Sequence, residues 1–191
     1  MVFFVLMTYQ RESIPEVSPF AVEDWSDQTG DTFIADINAL AVGGAMKYVG
    51  QRQIFDFSPE DGPVTVGSEG FSKCSGLLLG NQQARSYTFS HLEPFAEAFH
   101  DRMRTGSTEP VRWPTLQDAV LIYGSLSSRQ VELERLLLQQ FWGPATLRTV
   151  HLETGNTHWG MTFNGLLGQL AVVRKKPDHS IFRYQLFEPI S

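Results

Sequence analysis

Two residues stand out for chemistry in this sequence of 191 residues: Cys74, the single cysteine, and His91, with sixteen residues between them. A thiol beside an imidazole that can take its proton is the minimum machinery of a cysteine nucleophile. Such a pair attacks an amide carbon, and the imidazolium then protonates the departing nitrogen. Free cysteine is only slightly ionised at neutral pH, so a neighbouring imidazolium, or the cation of Lys73, would favour the thiolate. Backbone N–H groups in the turn from Ser72 to Gly76 are candidates for holding the oxyanion. The competing reading of Cys74 is a small buried apolar residue. That of His91 is a strand-end ring bonded to backbone.

The stretch from Pro63 to Pro94 has to bring the two side chains together. Cys74 follows a loop rich in Gly and Ser and leads into Leu77-Leu78-Leu79. His91 closes the run Tyr87-Thr88-Phe89-Ser90, whose alternation and residue types predict a β-strand. Two neighbouring strands joined by a short turn place the ends of such a stretch side by side.

The formal charge is −6, and the fifteen Lys and Arg residues are scattered, which gives no nucleic-acid footprint. Even Arg174-Lys175-Lys176 reads as a solvated strand end. One cysteine excludes an internal disulfide framework and a cysteine-based metal cluster. His100, His151, His158 and His179 are dispersed without metal-ligand spacing, so no metal and no cofactor is expected. The Gly-rich stretches lack the Lys or the strand–helix context of a phosphate loop. The opening MVFFVLM is apolar, but no positive charge precedes it and it is short for a membrane span. It reads as a strand, with no signal peptide evident, and a soluble protein is expected.

Along the chain, Gln10 to Gly30 has the composition of an irregular loop, tethered by Phe20 and Trp25. Thr32 to Met46 fits either a strand with a turn or a short helix. Gln51 to Phe57 reads as a strand, and Ser58 to Pro63 as a turn. Glu93 to Met103 predicts a helix, with Phe95, Phe99 and Met103 on one face. Gln117 to Tyr123 is an apolar strand. A helix then starts at Ser127-Ser128-Arg129-Gln130 and stops at Gly143-Pro144. Strands are expected at Leu147 to Glu153, Gly160 to Asn164, Leu170 to Arg174 and Ser180 to Phe187. This order predicts an α/β (α+β) layered sandwich of mixed β-sheets with two main helices. One compact domain is expected, with residues 1–60 as an N-terminal extension on a core of residues 61–191. Trp142, Trp159 and Phe163 read as core in preference to a partner-binding surface near the site, and the acidic pairs Glu23-Asp24 and Glu60-Asp61 as solvated.

Taken together, these pieces resemble the CheD-like family of glutamine deamidases. Cys74-Ser75-Gly76-Leu77-Leu78-Leu79 resembles the family's nucleophile element, and Ser90-His91-Leu92-Glu93-Pro94 its histidine element, at the family's spacing. Leu121-Ile122-Tyr123-Gly124, Ser128-Arg129-Gln130-Val131, Glu153-Thr154-Gly155-Asn156, Gly160-Met161-Thr162-Phe163 and Gly168 with Leu170-Ala171-Val172 follow in the family's order. The resemblance covers about residues 63–175. It implies Cys74 as nucleophile, His91 as acid and base, and a Thr about six residues before the Cys that orients the His. Ser68 holds that offset, while the better strand match puts Thr65 there. The family's Gly-Ser before the Cys is Ser72-Lys73 here.

The resemblance implies a hydrolase that converts a glutamine side chain of a partner protein to glutamate. It would act in the cytoplasm, or as an effector secreted into a host cell, since deamidase toxins share the Cys–His core. The alternatives are a CheD-like binding or regulatory module without catalysis, and another Cys–His amidase or protease.

Overall fold

The computed structural model describes residues 14–24, 46–60, 62–71, 74–81, 85–92, 118–124, 146–152, 159–174 and 180–190. Eleven strands occupy this part: β1 (Ala21–Asp24), β2 (Lys47–Tyr48), β3 (Ile54–Phe57), β4 (Thr65–Phe71), β5 (Ser75–Asn81), β6 (Ser86–Leu92), β7 (Asp118–Tyr123), β8 (Thr146–His151), β9 (Trp159–Asn164), β10 (Gln169–Arg174) and β11 (Ser180–Gln185). One sheet runs β1-β11-β10-β9-β4-β2 and the other β3-β6-β5-β7-β8. Both are mixed, because β2 lies parallel to β4 and β7 parallel to β8 among otherwise antiparallel neighbours. The described residues thus form two packed sheets without a helix. The expected helices at Glu93 to Met103 and near residues 128–141 lie outside them, as do residues 1–8 and Trp25.

Alternation along the strands explains the packing. On β5 and β6, Gly76 lies opposite His91, Leu78 opposite Phe89, and Gly80 opposite Tyr87. Phe89, Tyr87 and Leu78 belong to the core shared with Val66, Met161, Phe163, Leu170 and Tyr184 of the other sheet. Leu77, Leu79 and Leu92 point the other way, into a second apolar cluster with Ala119, Leu121 and Leu147. The small residues make room for large ones from across the sandwich. A β-carbon on Gly76 would meet the Met161 side chain, and one on Gly80 the Phe187 ring.

The segments before Thr65 close both open rims. On one rim, Val17 donates to the Thr149 carbonyl at 2.8 Å and Thr149 to that of Pro15 at 2.9 Å, so residues 15–17 flank β8. A few residues later β1 pairs with β11 of the opposite sheet, where Glu23 accepts two hydrogen bonds from Arg183 at 2.7 and 3.1 Å. On the other rim, β2 borders β4, and β3 then pairs with β6 of the opposite sheet.

Four local readings change. The strand expected from Gln51 to Phe57 starts only at Ile54, because a hydrogen bond from Gln53 N to the Gly50 carbonyl closes a turn before it. The stretch read as irregular between Gln10 and Gly30 contains β1, whose ladder to β11 orders four short residues. Phe20 does not act as a tether, being 56% exposed. The Gly/Ser-rich segment before Cys74 is not a loop but strand β4, which pairs with β9 despite Gly67 and Gly70.

Candidate functional site

The site is built around a bulge in β4. Ser68 pairs with Met161 and Phe71 with Trp159, so β4 spends one more residue than β9 between the two pairings. Gly70 carries the irregularity at φ +80°, a conformation open to glycine at little cost. Side chains three residues apart on a regular strand face opposite ways. Here the extra residue turns both Ser68 and Phe71 onto the inner face, toward His91.

Ser68 Oγ and His91 Nδ1 share a hydrogen bond of 2.9 Å, fully buried. The Phe71 ring stacks on the imidazole with centroids 3.8 Å apart and planes 18° apart. Trp159 stacks on the far side of Phe71 at 4.3 Å. A pile of three rings therefore fixes the imidazole plane, and the serine fixes its rotation. Trp159 is fully buried, as its reading as core residue expected. Phe163 is also core, and Trp142 lies outside the described residues.

Cys74 enters from the other strand of the hairpin. It immediately precedes β5, two residues before Gly76, the partner of His91. Its side chain belongs to the inner core with Phe71 and Trp159, and 6% of it is exposed. Thiol and imidazole are thus diagonal neighbours on one face, a relation that sets β-carbons about 7 Å apart. The two-strand arrangement expected from the sequence is the one present.

A turn covers the thiol. Gln53 N donates to the Gly50 carbonyl at 3.1 Å, and Arg52 sits at φ 64°, the pattern of a type II turn. Gly50 N donates to the Gln53 side-chain oxygen at 2.8 Å. Arg52 N donates to the His91 carbonyl at 3.0 Å, and His91 N to the Gln53 carbonyl at 3.2 Å. From this turn the exposed Gln51 reaches inward, its Nε2 3.7 Å from Cys74 Sγ.

Of the expected residues, the structure brings Ser68 and His91 into contact and puts Cys74 on their face. Thr65 is not with them. It alternates with the inward Val66, and its buried hydroxyl has no hydrogen-bond partner. Ser72 and Lys73 lie outside the described residues. His151 stacks on Tyr123 and bonds the Gly124 carbonyl at 3.2 Å, on the exposed side of β8. Glu60, read as solvated, pairs with Arg85.

Three participants escaped the sequence reading: Gln51, Gly70 and Phe71. Only Gly70 carried a signal, because an isolated glycine inside a strand pattern marks a bulge. No protein-family model matches this chain, and no curated protein is significantly similar to it.

Proposed function

We propose that the protein is a cysteine-dependent glutamine deamidase of the CheD-like kind, acting on a glutamine side chain of a partner protein. The observation that carries this reading is the 2.9 Å bond from Ser68 to His91 Nδ1, on the face that Cys74 shares. Burial of a polar side chain is costly unless its partners are supplied. A serine spent on orienting a buried imidazole, next to the sole thiol, is better explained by chemistry than by packing.

In this mechanism Nδ1–H donates to Ser68 Oγ, which leaves the ring lone pair on Nε2 as the base for the thiol proton, a third group selecting the tautomer. His91 takes the proton of Cys74, and Sγ attacks the carboxamide carbon. The tetrahedral intermediate collapses as the imidazolium protonates the leaving nitrogen, releasing ammonia. Water, deprotonated by the same imidazole, then hydrolyses the thioester to leave a glutamate carboxylate and the free thiol. The rings of Phe71 and Trp159 exclude water from one side of the imidazole.

The test is ammonia release from a glutamine-rich protein such as casein, with the modified glutamines located by mass spectrometry. Wild type should release ammonia, and Cys74→Ala should lose that activity with its unfolding midpoint kept. Equal rates in the two proteins would sink the proposal.

A second reading, a binding module of this fold without catalysis, is favoured by the low exposure of Cys74 and His91, 6% and 1%. It predicts binding of a partner protein with no ammonia release, by wild type and Cys74→Ala alike.

A further inference from the structure

Gln51 brings to Cys74 the functional group that the proposed reaction takes from its substrate. Its carboxamide nitrogen lies 3.7 Å from Sγ, within reach of an N–H donated to sulfur. The residue is exposed while the thiol is buried, so this side chain reaches the nucleophile from the solvent side.

The turn that carries Gln51 is held in a costly form. Arg52 occupies the left-handed region at φ 64°, unfavourable for a residue with a β-carbon. Strain of this kind persists where surrounding contacts over-determine it. Here they are the two backbone hydrogen bonds to His91 and the Gly50–Gln53 pair. The same turn thus grips the backbone of the histidine and sets a primary amide on the cysteine.

We propose that Gln51 is a built-in substrate mimic: its carboxamide occupies the place of the incoming glutamine and must swing out before a partner protein's glutamine can enter. The inference rests on the deamidase reading for the nature of the guest. The amide nitrogen, rather than the carbonyl carbon, leads toward the sulfur. The contact therefore shields the thiol without presenting a carbon for attack. Only the side chain has to move, because the bonds from the turn to His91 are made by backbone.

The test uses the full chain as wild type, Gln51→Ala and Gln51→Asn, the last keeping the amide on a stem too short to reach. Iodoacetamide labelling of Cys74 is followed by mass spectrometry, with and without a doubly blocked glutamine or a doubly blocked leucine. Both variants should label faster than wild type, on the order of tenfold, once the thiol is uncovered. Blocked glutamine should slow labelling in the variants far more than in wild type, and blocked leucine should not. Equal labelling rates in all three proteins overturn the proposal, as does equal protection by the two blocked amino acids. Ammonia release from the blocked glutamine is read in the same samples. Selective protection without ammonia supports Gln51 as mimic and removes the catalytic reading. Ammonia release with equal labelling rates keeps the deamidase and removes the mimic.

Discussion

Ser68 and His91 meet at 2.9 Å in the interior of the sandwich, one from each sheet. The bond ties together two layers that pack around it through apolar side chains such as Phe71, Trp159 and Met161. A misregistered sheet would leave both groups buried without it, at a cost of about 1–3 kcal/mol each. The pair therefore specifies how the sheets stack as well as how the imidazole points.

Substitutions at Ser68 and Thr65 should separate a positioning residue from a bystander. Ser68→Ala should lower kcat/KM for deamidation by about 10–100-fold, the usual cost of losing an orienting partner. It should also shift the pH profile of kcat/KM, with partial recovery in Ser68→Thr. Thr65→Val removes a buried hydroxyl that has no partner. It should leave activity intact and stability unchanged or up by about 1 kcal/mol. Equal losses at the two positions would return Thr65 to the site.

The bulge makes Gly70 more important than its open surroundings suggest. A β-carbon there meets nothing within 4 Å, yet φ is +80°. Gly70→Ala should therefore destabilise by about 1–2 kcal/mol through backbone strain alone. If the bulge straightens instead, Ser68 and Phe71 can no longer both face His91. Denaturant unfolding with an activity assay reads both effects, and an alanine variant that matches wild type in each would refute the role of the bulge.

Arg52→Gly should relieve the turn. Glycine accepts the positive φ without penalty but loses more freedom on folding, so the net gain is at most about 1 kcal/mol. Alkylation of Cys74 should stay slow, because Gln51 and the bonds to His91 remain. A loss of stability would mean that the arginine side chain contributes more than its backbone costs.

Alkaline stability should respond to Tyr184. Burial, then the charge of Glu16, pushes its phenol up from 10.0 to about 12. The folded protein thus holds this proton more tightly than the unfolded chain. The contribution is complete below pH 10 and is lost as pH rises through about 12. Two units correspond to about 2–3 kcal/mol. Tyr184→Phe has no phenol to ionise, so its stability relative to its own neutral value should fall less over that range. Parallel denaturant curves for the two proteins would contradict this.

The strands of the Cys–His hairpin and of the last forty residues were legible because alternation and turn residues agree there. β4 was not, since Gly67, Ser68 and Gly70 weaken strand character, and its pairing with β9 overrides that local preference. The same strand hid the choice between Thr65 and Ser68. Offsets from Cys74 could not say which one faced the ring, because facing depends on the parity of β4 and on one bulge. Gln51 was invisible for another reason. An exposed polar turn residue carries no mark of a thiol 23 positions away. The short β1 lacked an apolar pattern and owes its form to β11.

The rim segments also set a schedule for the molecule. β1 leaves the ribosome well before its partner strand, with Glu23 and Arg183 separated by 160 residues. Loop closure over such a span is slow, and pairing cannot begin before the distal strand exists. The hairpin bearing Cys74 and His91 is complete long before that, so a growing chain carries its thiol between unclosed sheets. Burial of the thiol beside Phe71 and Trp159 therefore waits for β9, the strand that brings Trp159 across from β4.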